Sequence, residues 1–389
     1  MGGGRTEVRT ALWRVRGMQA LVGVTVLGFA SFCLTLASLP VYAVTGGASA
    51  STAGLVTAVF LVVTVACQAT IPTLTARFGV GPVLVTGLVA MGLPSPFYAL
   101  DDSLAWICAL SAVRGAGFAV LTVLGATLAA RVAPPERRGE SVGLYGLAIA
   151  IPNLVAVPAG VALVLDGHVG WLSWLAASPV LGAVLVPLLV RSVAPEPGPA
   201  AAGARRAAVL AALTPSAVLF FVTMAGGGLV TFLPIERPDG VLATVALLVF
   251  GVTGAITRWR SGTLADRLGT GRLLPTALVV AAAGLVLTAV GLSAGAGWVL
   301  AGAAVFGAGY GATQNLTLVA AFARAGNAGT TTASAMWNAS FDAGTAAGAL
   351  ALGFLAAGIG LDWTYAVVAA SLAAAVPLAS AAARAPAHA

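Results

Sequence analysis

The sequence contains no lysine, and charged residues make up only 8% of its 389 positions. Soluble domains carry roughly 25% charged residues. A chain with 59% hydrophobic residues and so few charges cannot cover itself with a polar surface. Its formal net charge of +7 is spread between apolar runs. That distribution fits the arginine bias of membrane-protein loops, so we expect no nucleic-acid partner.

Residue types that carry catalysis and metal binding are scarce. The two histidines are His168, in a predicted loop, and His388, in the C-terminal tail. The three cysteines, Cys33, Cys67 and Cys108, lie singly within apolar runs. The sequence has no Ser-His-Asp set, no metal-ligand spacing and no Gly-Lys-Ser/Thr phosphate loop. It therefore predicts no enzyme activity, no metal, no cofactor and no ATP-driven pumping by this chain.

Long apolar runs fill the sequence instead. A bilayer-spanning helix needs roughly 20 apolar residues, and by this measure the chain is an all-α integral membrane protein with twelve transmembrane helices. The predicted spans are 18–44, 50–74, 82–100, 104–130, 141–165, 169–190, 212–235, 241–260, 273–294, 297–322, 330–357 and 361–383. The predicted domains are a tail at 1–17, a six-helix bundle at 18–190, a linker at 191–211, a second bundle at 212–383 and a tail at 384–389.

The positions of the arginines predict the orientation. With the N-terminus inside, 17 of the 19 arginines fall in cytoplasmic segments, and the exceptions are Arg114, in the fourth span, and Arg237. Acidic residues such as Asp101, Asp102 and Asp166 lie in the opposite loops. Because arginine-rich loops stay in the cytoplasm, we expect both termini to be cytoplasmic.

Two loops are near copies of each other, half a chain apart. At an offset of 190 residues, Leu74, Arg77 and Gly79 correspond to Leu264, Arg267 and Gly269. A second match, at an offset of 192, joins residues 113–118 in the fourth span to residues 305–310 in the tenth. The repeats predict two pseudo-symmetric six-helix bundles, an arrangement in which substrates bind between the bundles near the bilayer midplane.

The second loop carries the strongest motif in the chain, formed by Gly262, Asp266, Arg267, Gly269 and Arg272. This pattern is similar to the loop signature of the major facilitator superfamily. The run 133–140, Ala-Pro-Pro-Glu-Arg-Arg-Gly-Glu, resembles the loop between helices four and five of that family. The resemblance covers essentially the whole chain and implies the family's fold and alternating access. Similarity to bacterial drug and metabolite efflux members implies a multi-pass protein of the bacterial inner membrane.

The resemblance also implies a conformational latch. The family's acid usually lies in the first loop, where this sequence has Ala76, whereas the second copy keeps Asp266. By pseudo-symmetry we expect Asp266 to act at the start of the fifth span, around Gly139 and Glu140. The competing interpretation is an orientation signal combined with a helix cap. The predicted latch residues are Gly262, Asp266, Arg267, Gly269, Arg272, Arg77 and Glu140.

Asp342 and Arg114 are the charged residues that fall near the middle of predicted spans, and both are predicted to take part in proton coupling. Asp342 lies about 18 Å along its helix from Thr330, where removal from water favours a carboxyl that takes up and releases a proton. A buried Asp that only packs is the alternative. Efflux relatives keep an arginine at the place of Ser111, three residues before Arg114. The partner of Arg114 stays open between substrate, Asp342 and backbone carbonyls.

The family's architecture places helices one, four, seven and ten around the cavity, with helices five and eleven contributing. The predicted substrate-binding residues are Thr25, Phe29, Phe32, Phe118, Asn153, Met224, Tyr310, Gln314, Asn315, Trp337 and Asn338, with Thr35 and Phe220 as further candidates. Such a mostly apolar lining suits a small amphipathic organic compound.

These expectations favour a proton-coupled exporter of a drug or natural product, monomeric in the lipid bilayer. A sugar or metabolite importer, or a facilitator, is the alternative on the same fold. The antiporter signature of helix five is poorly kept, with Gly143, Gly146, Pro152, Pro158 and Gly160 at a different spacing. A non-transporting sensor or scaffold is the competing class.

Overall fold

The computed structural model describes residues 11–48, 50–193, 202–236 and 241–384. Every regular element in these ranges is a helix. Arg5, Arg9, Arg237 and His388, and much of the predicted tails and linker, lie outside the described residues.

Within the described residues, nine helices are long and apolar enough to cross a membrane, and a bent pair makes a tenth. A further run, Ala296–Ile359, is divided by non-helical backbone at Gly326 into two helices. The helices are α1 (Arg16–Thr45), α2 (Leu55–Gln68 and Ile71–Phe78, bent by 54°), α3 (Val80–Leu100), α4 (Leu104–Arg131), α5 (Pro135–Leu165), α6 (Val169–Arg191), α7 (Gly203–Leu233), α8 (Leu242–Leu268), α9 (Thr270–Ala294), α10 (296–325), α11 (327–359) and α12 (Leu361–Ala383). Helices therefore occupy all twelve predicted spans.

The backbone repeats between the first half, α1–α6, and the second half, α7–α12. Gly79 ends α2 with a φ of 81°, and Gly269 ends α8 with a φ of 73°. Gly167 before α6 and Gly360 before α12 have φ values of 74° and 84°. Positive φ is readily adopted only by glycine, so the repeated glycines fix equivalent sharp turns in both halves.

Close helix packing repeats as well. A Cβ added to Gly115 of α4 would collide with the carbonyl oxygen of Phe60 on α2. A Cβ added to Gly307 of α10 would collide in the same way with the carbonyl oxygen of Phe250 on α8. The offsets are 192 and 190 residues, as in the sequence repeats. The glycines of the fourth and tenth spans therefore let helices pack backbone to backbone, which confirms the pseudo-symmetric architecture.

The two halves touch at one end of the molecule, which we call the arginine-rich end. It contains the α4–α5 junction, with Arg137 and Arg138, and the α8–α9 junction, with Arg267 and Arg272. Apolar side chains elsewhere are widely exposed: Phe354 is 83% exposed and Val184 77%. Such an apolar exterior suits lipid rather than water.

Candidate transport site and its closure

The closest approach of the halves is the crossing of α5 and α8. A Cβ added to Gly139 would meet the carbonyl oxygen of Gly262, and one added to Gly262 would meet that of Gly139. One turn further along α5, a Cβ at Gly143 would lie 2.7 Å from the carbonyl oxygen of Trp259. Only glycine lets the two backbones come this close.

Asp266 secures this crossing. Its Oδ1 accepts a hydrogen bond from the backbone N–H of Gly139 at 2.7 Å, and its Oδ2 accepts one from Glu140 at 2.8 Å. No side chain of the local segment caps the helix that begins at Arg138. A carboxylate from the other half therefore fills the role of helix cap and faces the positive end of the helix dipole. The contact lies where the sequence placed it, and its role as a latch stays a prediction.

The other predicted latch residues do not join the halves through their side chains. Arg77, Arg267 and Arg272 are exposed, as expected of side chains that anchor a turn at a membrane surface. The carboxylate of Glu140 pairs with Arg137 of its own segment at 2.8 Å. Gly269 contributes its positive φ to the turn.

The first half has a different contact at the equivalent place. Where the second half keeps Asp266, the first has the exposed Ala76. Arg205, at the start of α7, instead donates to the hydroxyl of Thr73 at 3.0 Å and to the carbonyl of Ala69 at 3.3 Å. At the arginine-rich end, an acid, Asp266, therefore joins α8 to α5, whereas a base, Arg205, joins α7 to α2.

Helix α11 of the second half makes further hydrogen bonds to α4 of the first half. The hydroxyl of Ser334 donates to the carbonyl of Val123 on α4 at 2.7 Å. The amide of Asn338 donates to the carbonyl of Thr122 at 3.4 Å and to that of Ser334 at 2.9 Å. Asn338, predicted to bind substrate, therefore takes part in the contact between the halves.

Asp342 also bridges the halves. Its Oδ2 accepts a hydrogen bond from Nε2 of Gln68 on α2 at 2.9 Å, and Nε2 of Gln68 lies 3.5 Å from the hydroxyl of Thr122. Gln68 is fully buried, and its Oε1 has no partner. The predicted proton-coupling carboxyl thus belongs to a contact that must break when the halves separate at this end.

Arg114 is held in another way. It is 0% exposed, and it donates to the carbonyl of Met91 at 3.0 Å, to Ser31 Oγ at 2.9 Å and carbonyl at 3.2 Å, and to the hydroxyl of Tyr98 at 3.4 Å. In the described structure its donors meet backbone carbonyls and hydroxyls of the first half, which is one of the alternatives left open by the sequence. It does not bring Arg114 to Asp342, and a role of Arg114 in proton coupling stays untested.

Sequence reasoning missed Arg258, which the predicted span 241–260 assigned to the cytoplasmic surface. Helix α8 continues to Leu268, so Arg258 lies well inside it and is only 9% exposed. Its Nη1 donates to Oε1 of Gln314 on α10 at 2.8 Å. Arg258 and Gln314 stand at offsets of 190 and 192 from Gln68 and Thr122. The repeat was thus the signal that could have identified this position.

The nominated phenylalanines form one cluster. Phe32 and Phe118 stack with ring centroids 4.3 Å apart, and Phe29 meets Phe118 edge-on at 5.3 Å. Phe60, which sequence reasoning did not nominate, completes the cluster at 5.4 Å from Phe118. The cluster also borders a cleft between α1, α2 and α4, which Arg114 lines as well.

The second half repeats this arrangement. Phe250 and Tyr310 lie at offsets of 190 and 192 from Phe60 and Phe118, with ring centroids 5.0 Å apart. The edge of the Tyr310 ring presses on Gly226 of α7, where an added Cβ would lie 2.5 Å from the ring. Packing between neighbouring helices therefore accounts for much of the nominated aromatic surface.

Some of the remaining predicted substrate-binding residues pack against other helices, and others have buried polar atoms without hydrogen-bond partners. Trp337 donates to the hydroxyl of Thr317 at 3.0 Å, and Met224 is partly buried beneath Gly348. Asn153 is exposed, and it follows Gly139 and Gly146 along the α5 face that meets α8. Buried polar atoms without partners, in the part of the chain that the structure describes, include Thr25 Oγ1, Thr313 Oγ1 and both amide atoms of Asn315.

Two repeated six-helix bundles, closed against each other at one end around buried polar groups, define an integral membrane protein of the two-bundle type. The sequence profile described as "Major Facilitator Superfamily" matches residues 20–335. The chain therefore belongs to the major facilitator superfamily, whose members are transporters.

Solved structures agree with this fold. The chain is similar to the transporter FucP in its outward conformation, with a TM-score of 0.78 at 15% identity over 96% of this chain and 100% of that one. For the human organic anion transporter MFSD10, the TM-score is 0.73 at 18% identity, over 94% and 99% of the two chains. For a double tryptophan mutant of XylE, it is 0.72 at 14% identity, over 95% and 96%. The search of curated proteins gave no match.

Proposed function

We propose that this protein is a proton-coupled secondary transporter that exports a small amphipathic organic compound from a bacterial cell by alternating access. The observation that carries the proposal is the hydrogen bond between Asp342 and Gln68, which joins a titratable carboxyl of the second half to the first half. Both termini would be cytoplasmic, so the arginine-rich end would face the cytoplasm and the described state would face outward.

The contact provides a physical link between protonation and conformation. A charged carboxylate accepts a hydrogen bond roughly twice as strong as a neutral group does. With Asp342 charged, the bond to Gln68 stabilises closure at the arginine-rich end. Protonation from the outside weakens that closure, the halves open toward the cytoplasm, and the proton leaves before substrate is exported. Protons would thus enter as the compound leaves.

Proteoliposomes that contain the full chain and the trapped pH indicator pyranine test this cycle. A panel of ethidium, 2-naphthoate and 2-naphthamide would be added under an imposed pH gradient of either sign. We expect at least one compound to drive proton movement opposite to its own, and Asp342→Asn to abolish that exchange. The matched control is Asp362→Asn, which removes an exposed carboxylate at the start of α12.

Two results would contradict the proposal. Compound-dependent proton movement that survives intact in Asp342→Asn would assign Asp342 to packing alone. Compound and proton moving in the same direction would replace export with the importer alternative.

A further inference from the structure

The guanidinium of Arg258 is incompletely partnered. The side chain is 9% exposed, it donates to Gln314, and its Nε has no hydrogen-bond partner. No carboxylate of the described residues pairs with it. A charged side chain within a membrane span is costly and is retained where it serves a function, and a buried charge ordinarily needs a partner of opposite sign.

Comparison with Arg114 shows what a fully partnered buried arginine looks like in this protein. Arg114 is fully buried, and its donors meet oxygens of α1 and α3. Arg258 faces α5 of the other half, but α5 presents Gly146 there, where an added Cβ would lie 2.5 Å from the Nε of Arg258. A bare helix backbone offers the guanidinium no side-chain acceptor.

Further unpartnered polar groups lie about one helical turn from Arg258. Asn315 is 0% exposed, and neither its Oδ1 nor its Nδ2 has a partner. Its Nδ2 approaches Gly262, where an added Cβ would lie 3.2 Å away. Gly262 follows Arg258 by one turn of α8, about 6 Å along the axis. Buried polar groups without partners are rare in folded proteins, and a bound ligand is one explanation for them.

Aromatic rings line the same place. The Cζ of Arg258 lies 5.9 Å from the centroid of the Trp337 ring. Tyr310 lies one turn before Gln314 on α10, so the two side chains share a face of that helix. A ring beside the guanidinium stabilises the cation without using its N–H donors, and it offers an apolar wall to a ligand.

We propose that Arg258, Gln314 and Asn315 form an oxyanion-binding subsite that takes the carboxylate of an amphipathic organic anion. Tyr310 and Trp337 hold the apolar part of this ligand. The oxyanion supplies the acceptor lone pairs that the guanidinium and amide donors lack, in charge-assisted hydrogen bonds. The inference rests on the proposed function, because it treats the space between the halves as the transport pathway.

Binding to the purified full chain in nanodiscs tests the inference without requiring transport. Isothermal titration would compare three acids, benzoate, 2-naphthoate and decanoate, with their primary amides, which match them in size and lack the charge. In wild-type protein we expect at least one acid to bind tighter than its amide. Arg258→Gln should weaken that acid about 10- to 100-fold, as expected for a lost charge-assisted bond, and change the amide less than about 3-fold.

Arg260→Gln is the matched control, because Arg260 lies two residues after Arg258 and the substitution removes the same charge from an exposed side chain. Arg258→Lys keeps the charge and should retain part of the acid preference, so it serves if Arg258→Gln fails to fold. Equal binding of each acid and its amide to wild type, or an acid preference that survives Arg258→Gln, would overturn the subsite. Acid binding without proton-coupled transport would refute the proposed function but leave the subsite standing. Proton-coupled transport without any acid preference would refute the subsite but leave the proposed function standing.

Discussion

Gly139 and Gly262 stand so close that the carbonyl oxygen of each occupies the place of the other's missing Cβ. The contact joins the start of α5 to α8 and therefore the first half to the second. Because the obstacle is backbone, no change of side-chain rotamer can relieve an added methyl group. The closed arginine-rich end depends on both residues being glycine.

We therefore expect Gly262→Ala to prevent closure at this end and to abolish transport, while each half stays folded. Gly271→Ala is the matched control in the same loop, because an added Cβ at Gly271 meets nothing within 4 Å. Spin-label distances across the arginine-rich end would measure closure. Wild-type distances and transport in Gly262→Ala would show that the seam adapts, contrary to this prediction.

Asp266→Asn should weaken closure without blocking it. An asparagine side chain has one acceptor oxygen and no charge, so it cannot accept from both Gly139 and Glu140 as the carboxylate does. Each hydrogen bond to a charged group contributes about 1.5–3 kcal/mol, so loss of one would shift the closed-to-open ratio about 10-fold or more. Transport should fall while expression stays normal.

Asp362→Asn provides the comparison for that variant, since Asp362 is an exposed acid in the first turn of another helix. The same spin-label distances and transport rates would be measured for both. An unchanged rate in Asp266→Asn would remove the latch and leave a helix cap with an orientation signal, the interpretation that competed with it.

Arg114→Leu should chiefly destabilise the fold. The substitution leaves the oxygens around Ser31, Met91 and Tyr98 without their buried donor, and each buried polar group left unpaired costs about 1–3 kcal/mol. Thermal unfolding in detergent should begin at a clearly lower temperature. Arg272→Leu, which removes an exposed arginine, should unfold like wild type.

The opposite pattern for Arg114 would revive its predicted role in proton coupling. That pattern is an Arg114→Leu protein that unfolds at the wild-type temperature but no longer exchanges protons for compound in liposomes. A conservative Arg114→Lys, which keeps one charged donor, should fall between the two in unfolding temperature.

Hydropathy predicted the twelve spans because membrane helices must be apolar over most of their length, and the loop repeat predicted the duplication. The contact of Asp266 with the start of α5 followed from the resemblance of its loop motif to the family's, combined with pseudo-symmetry. The spans and the duplication depend on apolar runs and repeated motifs, which can be recognised in the sequence without knowing which helices touch.

Arg258 and Phe60 were missed for a different reason. Charges near the end of a predicted span are ordinarily at the membrane surface, so hydropathy and charge alone, without the repeat, could not reveal that α8 continues to Leu268. Phe60 lies within a uniformly apolar stretch, and its contact with Phe118 depends on how α2 meets α4. The choice between carbonyls and Asp342 for Arg114 likewise depended on helix rotation, which composition does not encode.

The single glycine between α10 and α11 has a mechanical consequence. Gly326 makes the whole connection between the two helices, so there is no slack to absorb a tilt of one against the other. Gln314, which accepts a hydrogen bond from Arg258, lies on α10, and Asp342, which accepts one from Gln68, lies on α11. A displacement of one helix is therefore transmitted to the other, which would couple a change at Asp342 to a change at Arg258.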